Sequence, residues 1–475
     1  MKKIFQRDLI GFTPFYYTQQ KDQFFYADNL DTLINMADIK PEPDPDSMYS
    51  FLHYGTVAYH KTMYKGIYRL PPAHHMTVVS GKIVKIERYW HPEKIKINHN
   101  ITLEEAKETF LHLFEKALSS YNVDDPSLVF ELSGGLDSSS VVSFLSQKNP
   151  YKRIRTVSMD FDHPDSNEKK YVKDVETQYP NIHALHLDME HIDYADTYSL
   201  ETLYKAHPHW PFLATMTPVL PMLEALNSRG VKTIVTGLGG DELLQGTPLV
   251  MADHLKSFRL HLLIEELKHC SSLPHCIKQY MLRPILKPET ISMIKRLLGH
   301  TVASPRYPKN YVELEETYRC RSKAFCRELG FLTSTLTNYL IESSYMYWAK
   351  ETMGITFRHP FYDRELMEFV ISLPGELKYR RGVSKYILRE AMKGVLPASI
   401  YHRTDKATFF DGYRKRIDAF DKSRLVKHAS IVSLGLISQN DLTLLLKNYE
   451  KREDAYPFPL SRALNLEYWY QNQYT

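Results

Sequence analysis

The chain has 475 residues, 43% of them hydrophobic, and a net charge of +4 at pH 7 with neutral histidines, as is ordinary for a globular protein of two or three domains. The small charge argues against nucleic-acid binding, and no apolar run approaches the length of a membrane span. Arg7 and Asp8 interrupt the N-terminal stretch before the apolar core of a signal peptide forms, so we expect a cytoplasmic protein.

Residues 1–95 are predicted to form a small β-rich domain. Short aromatic and β-branched runs alternate there with turn signals, and the clearest is a hairpin of residues 75–79 and 82–86 around Ser80 and Gly81. Long helical periods begin near Thr102, a hydroxyl cap that precedes acidic residues. We therefore place a second domain at residues 101–475.

A strand-to-helix junction carries the strongest chemical signal. The apolar residues 128–130 lead into residues 133–139, Ser-Gly-Gly-Leu-Asp-Ser-Ser, and then into a helical pattern. Gly134 and Gly135 let the backbone approach an anion, and the helix start offers unpaired N–H groups. Asp137 adds a hard oxygen ligand suited to Mg²⁺. No Gly-Lys-Ser/Thr closes the loop as in a Walker motif, and the alternative is a structural Gly-Ser turn.

A second loop follows the apolar residues 231–235, which are predicted to form a buried parallel strand. It reads Thr-Gly-Leu-Gly-Gly-Asp-Glu at residues 236–242. Ligands of open α/β folds bind at the carboxyl ends of the strands, so Asp137 and Asp241 are expected to converge on one Mg²⁺. The structural alternative for Asp241, which is compatible with that role, is a helix N-cap.

Residues 247–335 are predicted to be helical and are fairly basic, which indicates a solvated helical face or, alternatively, a lid or docking surface for a substrate larger than an amino acid. The cysteines fall into two pairs with equal spacing, Cys270 with Cys276 and Cys320 with Cys326. The neighbouring His269 and His275 leave a metal cluster as an alternative. Because the spacing is not that of zinc knuckles, buried free thiols are favoured, and no disulfide is expected.

Three further motifs follow: Arg-His-Pro-Phe-Tyr-Asp at residues 358–363, Ser-Lys-Tyr-Ile-Leu-Arg-Glu-Ala at 384–391 and Lys-Ala-Thr-Phe-Phe-Asp-Gly at 406–412. With the two loops, they resemble in order the motifs of the asparagine synthetase and β-lactam synthetase group. The resemblance implies an α/β fold: a parallel-sheet ATP-pyrophosphatase domain, adenine nucleotide α-hydrolase-like, with a helical C-terminal part. It covers nearly the whole chain and is weakest between residues 247 and 335.

Residues 7–17 and 66–72 resemble the last part of that group's N-terminal glutaminase domain. The first part is absent, and position 2 is Lys2 instead of the cysteine nucleophile. We therefore expect residues 1–95 to be a truncated glutaminase-like domain that does not hydrolyse glutamine, unless the chain lacks its native start.

The resemblance also implies a reaction with ATP and Mg²⁺. A carboxylate oxygen attacks the α-phosphorus of ATP, pyrophosphate leaves, and an amine then attacks the acyl-adenylate. The residues implied to border the nucleotide are Leu132, Ser133, Gly134, Gly135, Leu136, Asp137, Ser138, Ser139, Met159, Thr236 and Gly237. Leu132 and Met159 are also expected to be core residues of strands.

Catalytic roles come from the same resemblance. Lys385 matches a lysine near the phosphates, and Lys406 matches a lysine that stabilises the second step. Asp137 and Asp241 are the expected metal ligands. Glu342 aligns with an acidic position in the base machinery of β-lactam synthetase, and its alternative is an ordinary glutamate on a helix surface.

Two departures from the group bear on the substrate. Leu238 stands where asparagine synthetases have a glutamate and β-lactam synthetases a tyrosine, and Thr356 stands where a glutamate usually precedes the Arg-x-Pro-Phe motif. An apolar Leu238 cannot orient ammonia or relay a proton, so neither relative's second half-reaction transfers intact. With no glutaminase expected, the amine is expected to come with the substrate.

The chain therefore most resembles a lasso peptide cyclase, a macrolactam synthetase that links the N-terminal amine of a ribosomal precursor peptide to an Asp or Glu side chain. A leader-peptide protease and a leader-binding protein are the expected partners. One alternative is a glutaminase-free asparagine synthetase or another small-amine amide ligase. The other is a non-catalytic ATP-binding scaffold, which would show no carboxylate-dependent pyrophosphate exchange.

Overall fold

Two small antiparallel sheets dominate the N-terminal part of the computed structural model. The model describes residues 1–475 except 56, 59, 193–198, 207–208, 210–218, 283–342, 408–409, 427–428 and 453–457. The strands are β1 (Lys2–Gln6), β2 (Tyr16–Gln20), β3 (Gln23–Ala27), β4 (Tyr68–Arg69), β5 (His74–Val79) and β6 (Lys82–Arg88), in the orders β1-β5-β6 and β3-β2-β4. Helices α1 (Leu30–Met36) and α2 (Pro45–Tyr54) accompany them. The predicted hairpin is confirmed, since β5 pairs antiparallel with β6.

A five-stranded parallel sheet forms the centre of the remaining chain. Its strands are β7 (Leu128–Glu131), β8 (Ile154–Asp160), β9 (Ile182–Asp188), β10 (Thr233–Val235) and β11 (Thr356–Arg358), in the order β11-β10-β7-β8-β9. Every neighbouring pair is parallel, which confirms the mixed α/β fold with a parallel sheet. The strand predicted at residues 231–235 begins two residues later than expected, at Thr233.

Helices connect and follow these strands. Those that precede β10 are α3 (Leu103–Ser119), α4 (Leu136–Lys148), α5 (Lys169–Gln178), α6 (Leu200–Ala206) and α7 (Leu220–Asn227). The predicted cap of α3 is confirmed, because the Thr102 hydroxyl accepts from the Glu105 N–H and the Glu105 carboxylate accepts from the Thr102 N–H.

The C-terminal region is helical, as predicted. Its described helices are α8 (Gly240–Leu244), α9 (Val250–Lys256), α10 (Leu260–Leu267), α11 (Leu273–Cys276), α12 (Ser343–Met353), α13 (Arg364–Ser372), α14 (Tyr386–Ala391), α15 (Ala398–Tyr401), α16 (Phe410–Ala419), α17 (Ser423–Val426), α18 (Ser430–Ser433), α19 (Gln439–Glu450) and α20 (Phe458–Tyr474). Of the region expected to be helical and basic, residues 283–335 lie outside the described residues.

Two large hydrophobic clusters cover the faces of the parallel sheet. Val129 and Ile234 enter one cluster, whereas Phe130 and Val235 enter the other, as the alternation of side chains along a strand requires. Both clusters also take in residues from the first 90 positions, among them Met48 and Phe51 in one and Ile10 and Trp90 in the other. The N-terminal part therefore shares its core with the parallel-sheet part.

The expectation of free thiols is wrong for the first cysteine pair. Cys270 follows α10, Cys276 ends α11, and the two form a disulfide, with their Cα atoms 6.5 Å apart. That separation lies within the range a disulfide spans, and the two cysteines are 6 positions apart in sequence. Cys320 and Cys326 lie outside the described residues.

In the part of the chain that the structure describes, none of the helices combines the length and the apolar character needed to traverse a bilayer.

Candidate functional site

The first predicted loop connects β7 to α4 at the carboxyl edge of the sheet. Gly134 has a φ of +79°, a left-handed conformation that glycine adopts without steric cost. The Ser133 N–H donates to the Ser138 hydroxyl at 3.1 Å, and the two hydroxyls hydrogen-bond to each other at 2.9 Å. The Gly135 N–H donates to Ser133 Oγ at 3.3 Å. These bonds close the loop on itself above the start of α4.

The second predicted loop lies against the first because two of its residues have no side chain. A Cβ added to Gly237 would approach the carbonyl carbon of Asp137 to 2.8 Å and would also overlap the Ser138 backbone. A Cβ added to Gly240 would meet the Asp137 side chain, with Cβ only 2.8 Å away. Real Cβ atoms essentially never make such contacts. These glycines therefore allow the two loops to touch.

The two predicted metal ligands lie on either side of one ammonium group. Lys385 Nζ is 2.5 Å from Asp137 Oδ2 and 2.7 Å from Asp241 Oδ1. The Lys385 side chain is only 10% exposed, and its backbone N–H donates to Gln245 O at 3.1 Å. Residues 248 positions apart in sequence thus meet at the sheet edge. Asp241 is the second residue of α8, and the N-cap position belongs to Gly239, so the N-cap alternative for Asp241 is wrong.

Lys406 reaches the same cluster from the solvent side. Its ammonium pairs with Asp241 Oδ2, and its side chain is 75% exposed. The Asp241 carboxylate therefore contacts both lysines, one through each oxygen. The structure brings together four of the predicted site residues, Asp137, Asp241, Lys385 and Lys406.

The electrostatics of the cluster differ between its two carboxylates. Burial raises the pKa of Asp137, with the neighbouring Asp241 adding to the effect and Lys385 opposing it. Burial also acts to raise the pKa of Asp241, but attraction to Lys385 and Lys406 outweighs it and leaves that pKa below its usual value. Burial acts to lower the pKa of Lys385, and attraction to Asp137 and Asp241 raises it overall.

The donor set at this edge fits Mg²⁺. Asp137 Oδ1 is buried and has no hydrogen-bond partner among the described residues, so one hard oxygen is available to a ligand. Neither this edge nor any other part of the described chain has three or more His, Cys, Asp or Glu side chains grouped so that they could hold a metal ion. Mg²⁺ is usually bound through one or two carboxylates together with substrate phosphates. Asp137 Oδ1 supplies one such oxygen, and the neighbouring Asp241 is a second carboxylate whose oxygens are paired with Lys385 and Lys406.

The remaining residues predicted to border the nucleotide differ in how deeply they are buried. Leu132 and Ser139 are fully buried, and Ser139 Oγ lacks a hydrogen-bond partner in the described structure. Leu136 is buried at the start of α4, and Met159 is partly buried near the end of β8. Leu132 is a core residue, as its alternative assignment predicted.

Thr236 has a partner that the sequence did not indicate. Its hydroxyl shares a 2.8 Å hydrogen bond with His359 Nδ1 and accepts from the Leu238 N–H at 3.1 Å. Burial, and then Arg358, lowers the pKa of His359 to about 3, so the ring is neutral near pH 7. His359 lies in the 358–363 motif, and that position was the only sequence signal of its role. It fixes the turn from Thr236 to Leu238.

Three further residues singled out in the sequence are Glu342, Leu238 and Thr356. Glu342, the nominated base, lies outside the described residues. Leu238 and Thr356 are both partly buried, Leu238 in the second loop and Thr356 at the start of β11.

Comparison with known proteins agrees with this architecture. A sequence profile described as asparagine synthase matches residues 109–471, and one described as a glutamine amidotransferase domain matches residues 1–90. The chain is 25% identical over 423 residues to the glutamine-hydrolyzing asparagine synthetase 3 of Bacillus subtilis (strain 168), covering 84% of this chain and 63% of that protein. It is 24% identical over 433 residues to asparagine synthetase 1 of the same organism, covering 84% and 64%.

A shorter match joins the chain to another relative. Carboxyethyl-arginine beta-lactam-synthase of Streptomyces clavuligerus is 44% identical over 45 residues, which is 10% of this chain and 9% of that protein. The chain spans less than two thirds of the length of the two asparagine synthetases. Since one family profile matches most of the sequence, the chain belongs to the asparagine synthase family.

Proposed function

We propose that this chain is an ATP-dependent amide ligase that closes a macrolactam ring in a ribosomal precursor peptide. The observation that carries the ligase assignment is the meeting of Asp137, Asp241, Lys385 and Lys406 beside a glycine-rich loop in a member of the asparagine synthase family. The parallel sheet is then that of an ATP-pyrophosphatase domain, whose carboxyl edge receives the nucleotide.

In the first step, an oxygen of a substrate carboxylate attacks the α-phosphorus of ATP, and pyrophosphate leaves with the electron pair of the broken phosphoanhydride bond. Such a transfer depends mainly on positioning and charge stabilisation. The N–H groups at the start of α4 hold the phosphates, and Lys385 lies beside them with a buried positive charge. Mg²⁺ held by Asp137 and Asp241 supplies further positive charge to the phosphates when bound.

In the second step, an amine attacks the acyl carbonyl, AMP leaves, and the amine loses a proton. An α-amino group has a pKa of roughly 7.7 to 8 and is mostly protonated at neutral pH, so a base is required. Lys406 is exposed, and in the described structure its ammonium group pairs with Asp241. It is therefore available to stabilise the negative charge that develops on the carbonyl oxygen.

Two features favour ring closure over use of ammonia, the first against ammonia released from glutamine and the second against ammonia from either source. Residues 1–269 contain no cysteine, so they supply no thiol for glutamine hydrolysis, and the apolar Leu238 cannot relay a proton. A peptide that carries both the carboxylate and the amine gains effective concentration when held in near-attack geometry. Because the reacting amine must be a free N-terminus, a leader-peptide protease and a leader-binding protein are the partners that this reaction needs.

The test uses the full chain with ATP, Mg²⁺ and peptides encoded by short reading frames beside the gene. We expect a true substrate to lose the mass of one water while one AMP and one pyrophosphate are released. Acetylation of its N-terminus should block ring closure but allow pyrophosphate release. Replacing its acceptor Asp or Glu by the amide should block both.

Two outcomes would contradict the proposal. AMP release that depends on aspartate and ammonia, with no peptide processed, would identify a glutaminase-free asparagine synthetase or another small-amine ligase. If none of the carboxylates tested supports pyrophosphate exchange, the chain is a non-catalytic ATP-binding scaffold.

A further inference from the structure

The segment that carries Lys406 depends on side-chain anchors for its position. It runs between α15 and α16, and residues 403–407 have no regular secondary structure. Among the described residues, the ammonium group of Lys406 pairs with Asp241. The side chains just upstream show how this segment is held against the first loop.

Arg403, three residues before Lys406, turns its side chain inward to that loop. The side chain is only 6% exposed. Its Nη1 group donates to Gly134 O at 3.1 Å and to Glu168 Oε1 at 2.6 Å. The guanidinium carbon lies 3.9 Å from the centre of the Tyr171 ring, a stacking geometry in which arginine is favoured over lysine.

The peptide group between Gly134 and Gly135 is hydrogen-bonded on both sides, by Arg403 at its carbonyl and by Ser133 at its N–H. In a trans peptide the C=O and N–H groups point in opposite directions. Arg403 binds the carbonyl of the Gly134–Gly135 peptide, and Ser133 Oγ accepts from its N–H at 3.3 Å. Gly134 also lies directly under α5, since a Cβ there would be 3.0 Å from Tyr171 Cβ and 3.1 Å from Glu168 O.

A second arginine fixes the backbone that carries Arg403. Arg389 of α14 donates to Tyr401 O through Nη1 and to Arg403 O through Nη2, the latter at 2.6 Å. Its Nε group donates to Ser384 O at 3.1 Å, next to Lys385. The two arginines thus connect the Lys385 segment, the Lys406 segment and the first loop.

We propose that Arg403 is a positioning residue, which fixes the Gly134–Gly135 peptide for phosphate binding and holds the Lys406 segment in register with it. It acts through the loop and through Lys406, without contact with the reacting atoms. The kinetic part of this inference rests on the proposed function, whereas the structural part does not.

The test compares Arg403→Lys and Arg403→Met with Arg7→Lys and Arg7→Met in the full chain. Arg7 is a matched control, because it is 3% exposed and donates to two backbone carbonyls, those of Leu70 and Gly11, in the N-terminal part. If Arg403→Met fails to fold with Glu168 left unpaired, the double variant Arg403→Met with Glu168→Gln removes both charges. Amide hydrogen exchange of residues 132–139 and 401–407 is measured first.

We expect the Arg403 variants to exchange at least about tenfold faster in these two segments, while exchange in residues 1–90 is unchanged. In the Arg7 variants, exchange should be faster within residues 1–90 and unchanged in residues 132–139 and 401–407. With α,β-methylene-ATP and Mg²⁺ as the binding probe, Arg403→Met should weaken binding about tenfold and slow product formation about 10²-fold. Arg403→Lys should recover part of the nucleotide affinity and part of the rate of product formation, since lysine keeps a hydrogen-bond donor but lacks the planar guanidinium that stacks on Tyr171.

Unchanged exchange at residues 132–139 in both Arg403 variants overturns the inference. So does faster exchange that is equal in all segments, because that is the result of a general loss of stability. Selective exchange at the two segments, in a protein that never releases pyrophosphate, would support the positioning role and reject the proposed function.

Discussion

Lys385 shows how the site is held at the scale of single residues. Its φ is +54°, a left-handed conformation that costs a residue with a side chain about 1–2 kcal/mol. The strain is maintained by the bond from its N–H to Gln245 O and by the two carboxylates that grip its ammonium group. Strain of this kind persists where the surrounding structure over-determines a conformation, as it commonly does at functional sites.

The two lysines and the buried aspartate should separate the two reaction steps. Asp137→Asn removes a proposed metal ligand and should abolish pyrophosphate release and product formation together. Lys406→Ala should lower product formation about 10²- to 10³-fold, a range typical for the loss of one group that stabilises an oxyanion, while pyrophosphate release stays measurable. Pyrophosphate release and product formation are measured in parallel for each variant. If Lys406→Ala lowers the two equally, the role assigned to Lys406 is refuted.

Glu131 provides a prediction about pH. It ends β7 and is partly buried, and burial together with the neighbouring Glu168 raises its pKa to about 7. Between its ordinary pKa and the raised one, the folded state binds more protons than the unfolded state. Its contribution to the free energy of unfolding is therefore present at low pH and is lost as pH rises from about 4.5 to about 7.

Glu131→Gln should consequently flatten the fall in unfolding free energy between pH 5 and pH 8. Urea unfolding at four pH values measures the slope, and Glu108→Gln on the exposed side of α3 is the control. A slope for Glu131→Gln equal to that of the unmodified chain would show that this carboxyl does not titrate as described.

At the scale of elements, the site depends on how closely two strand-to-helix connections approach each other. β7 and β10 are neighbours in the sheet, so the loops that follow them leave the same edge side by side. The glycines of the second loop then let α4 and α8 begin within van der Waals contact. The same closeness places Asp137 and Asp241 within reach of one lysine.

Gly240→Ala tests this closeness. The new methyl group would overlap the Asp137 side chain, so we expect at least about a 10²-fold loss of pyrophosphate release through displacement of that carboxylate. Gly394→Ala is the control, since a Cβ there meets nothing within 4 Å although φ is +80°. It should lower the melting temperature and leave activity per folded molecule unchanged. Full activity of Gly240→Ala would mean that the loops are not fixed at this separation.

At the scale of the whole molecule, one contact between the N-terminal part and the second loop runs through His359. The Phe12 ring lies 4.4 Å from that of His359, centre to centre, and His359 shares the hydrogen bond with Thr236. Trp90 Nε1 adds a bond to Glu368 Oε1 at 2.9 Å. The N-terminal part, which contains no cysteine, therefore packs against the residues that shape the second loop.

Phe12→Ala should weaken binding of α,β-methylene-ATP several-fold by loosening His359. Phe5→Ala is the matched control, because Phe5 packs in the same unit against Phe15, Phe24 and Tyr26. Titration calorimetry on both variants provides the comparison. Equal affinities for the two would show that the N-terminal contact does not reach the nucleotide edge.

Local features of this protein follow from its sequence alone. The cap at Thr102, the hairpin around Ser80 and Gly81, and the glycine-rich loop after β7 depend on residues near each other in the chain, whose conformational preferences act without distant partners. The order of motifs was likewise enough to predict the parallel sheet and to nominate Asp137, Asp241, Lys385 and Lys406.

Only the tertiary structure decided which distant groups touch. The Lys385 ammonium lies between two carboxylates, His359 pairs with Thr236, and Arg403 grips the Gly134 carbonyl 269 residues away. Such contacts are set by the packing of whole elements on the sheet, because no local preference encodes the separation of side chains that are remote in sequence.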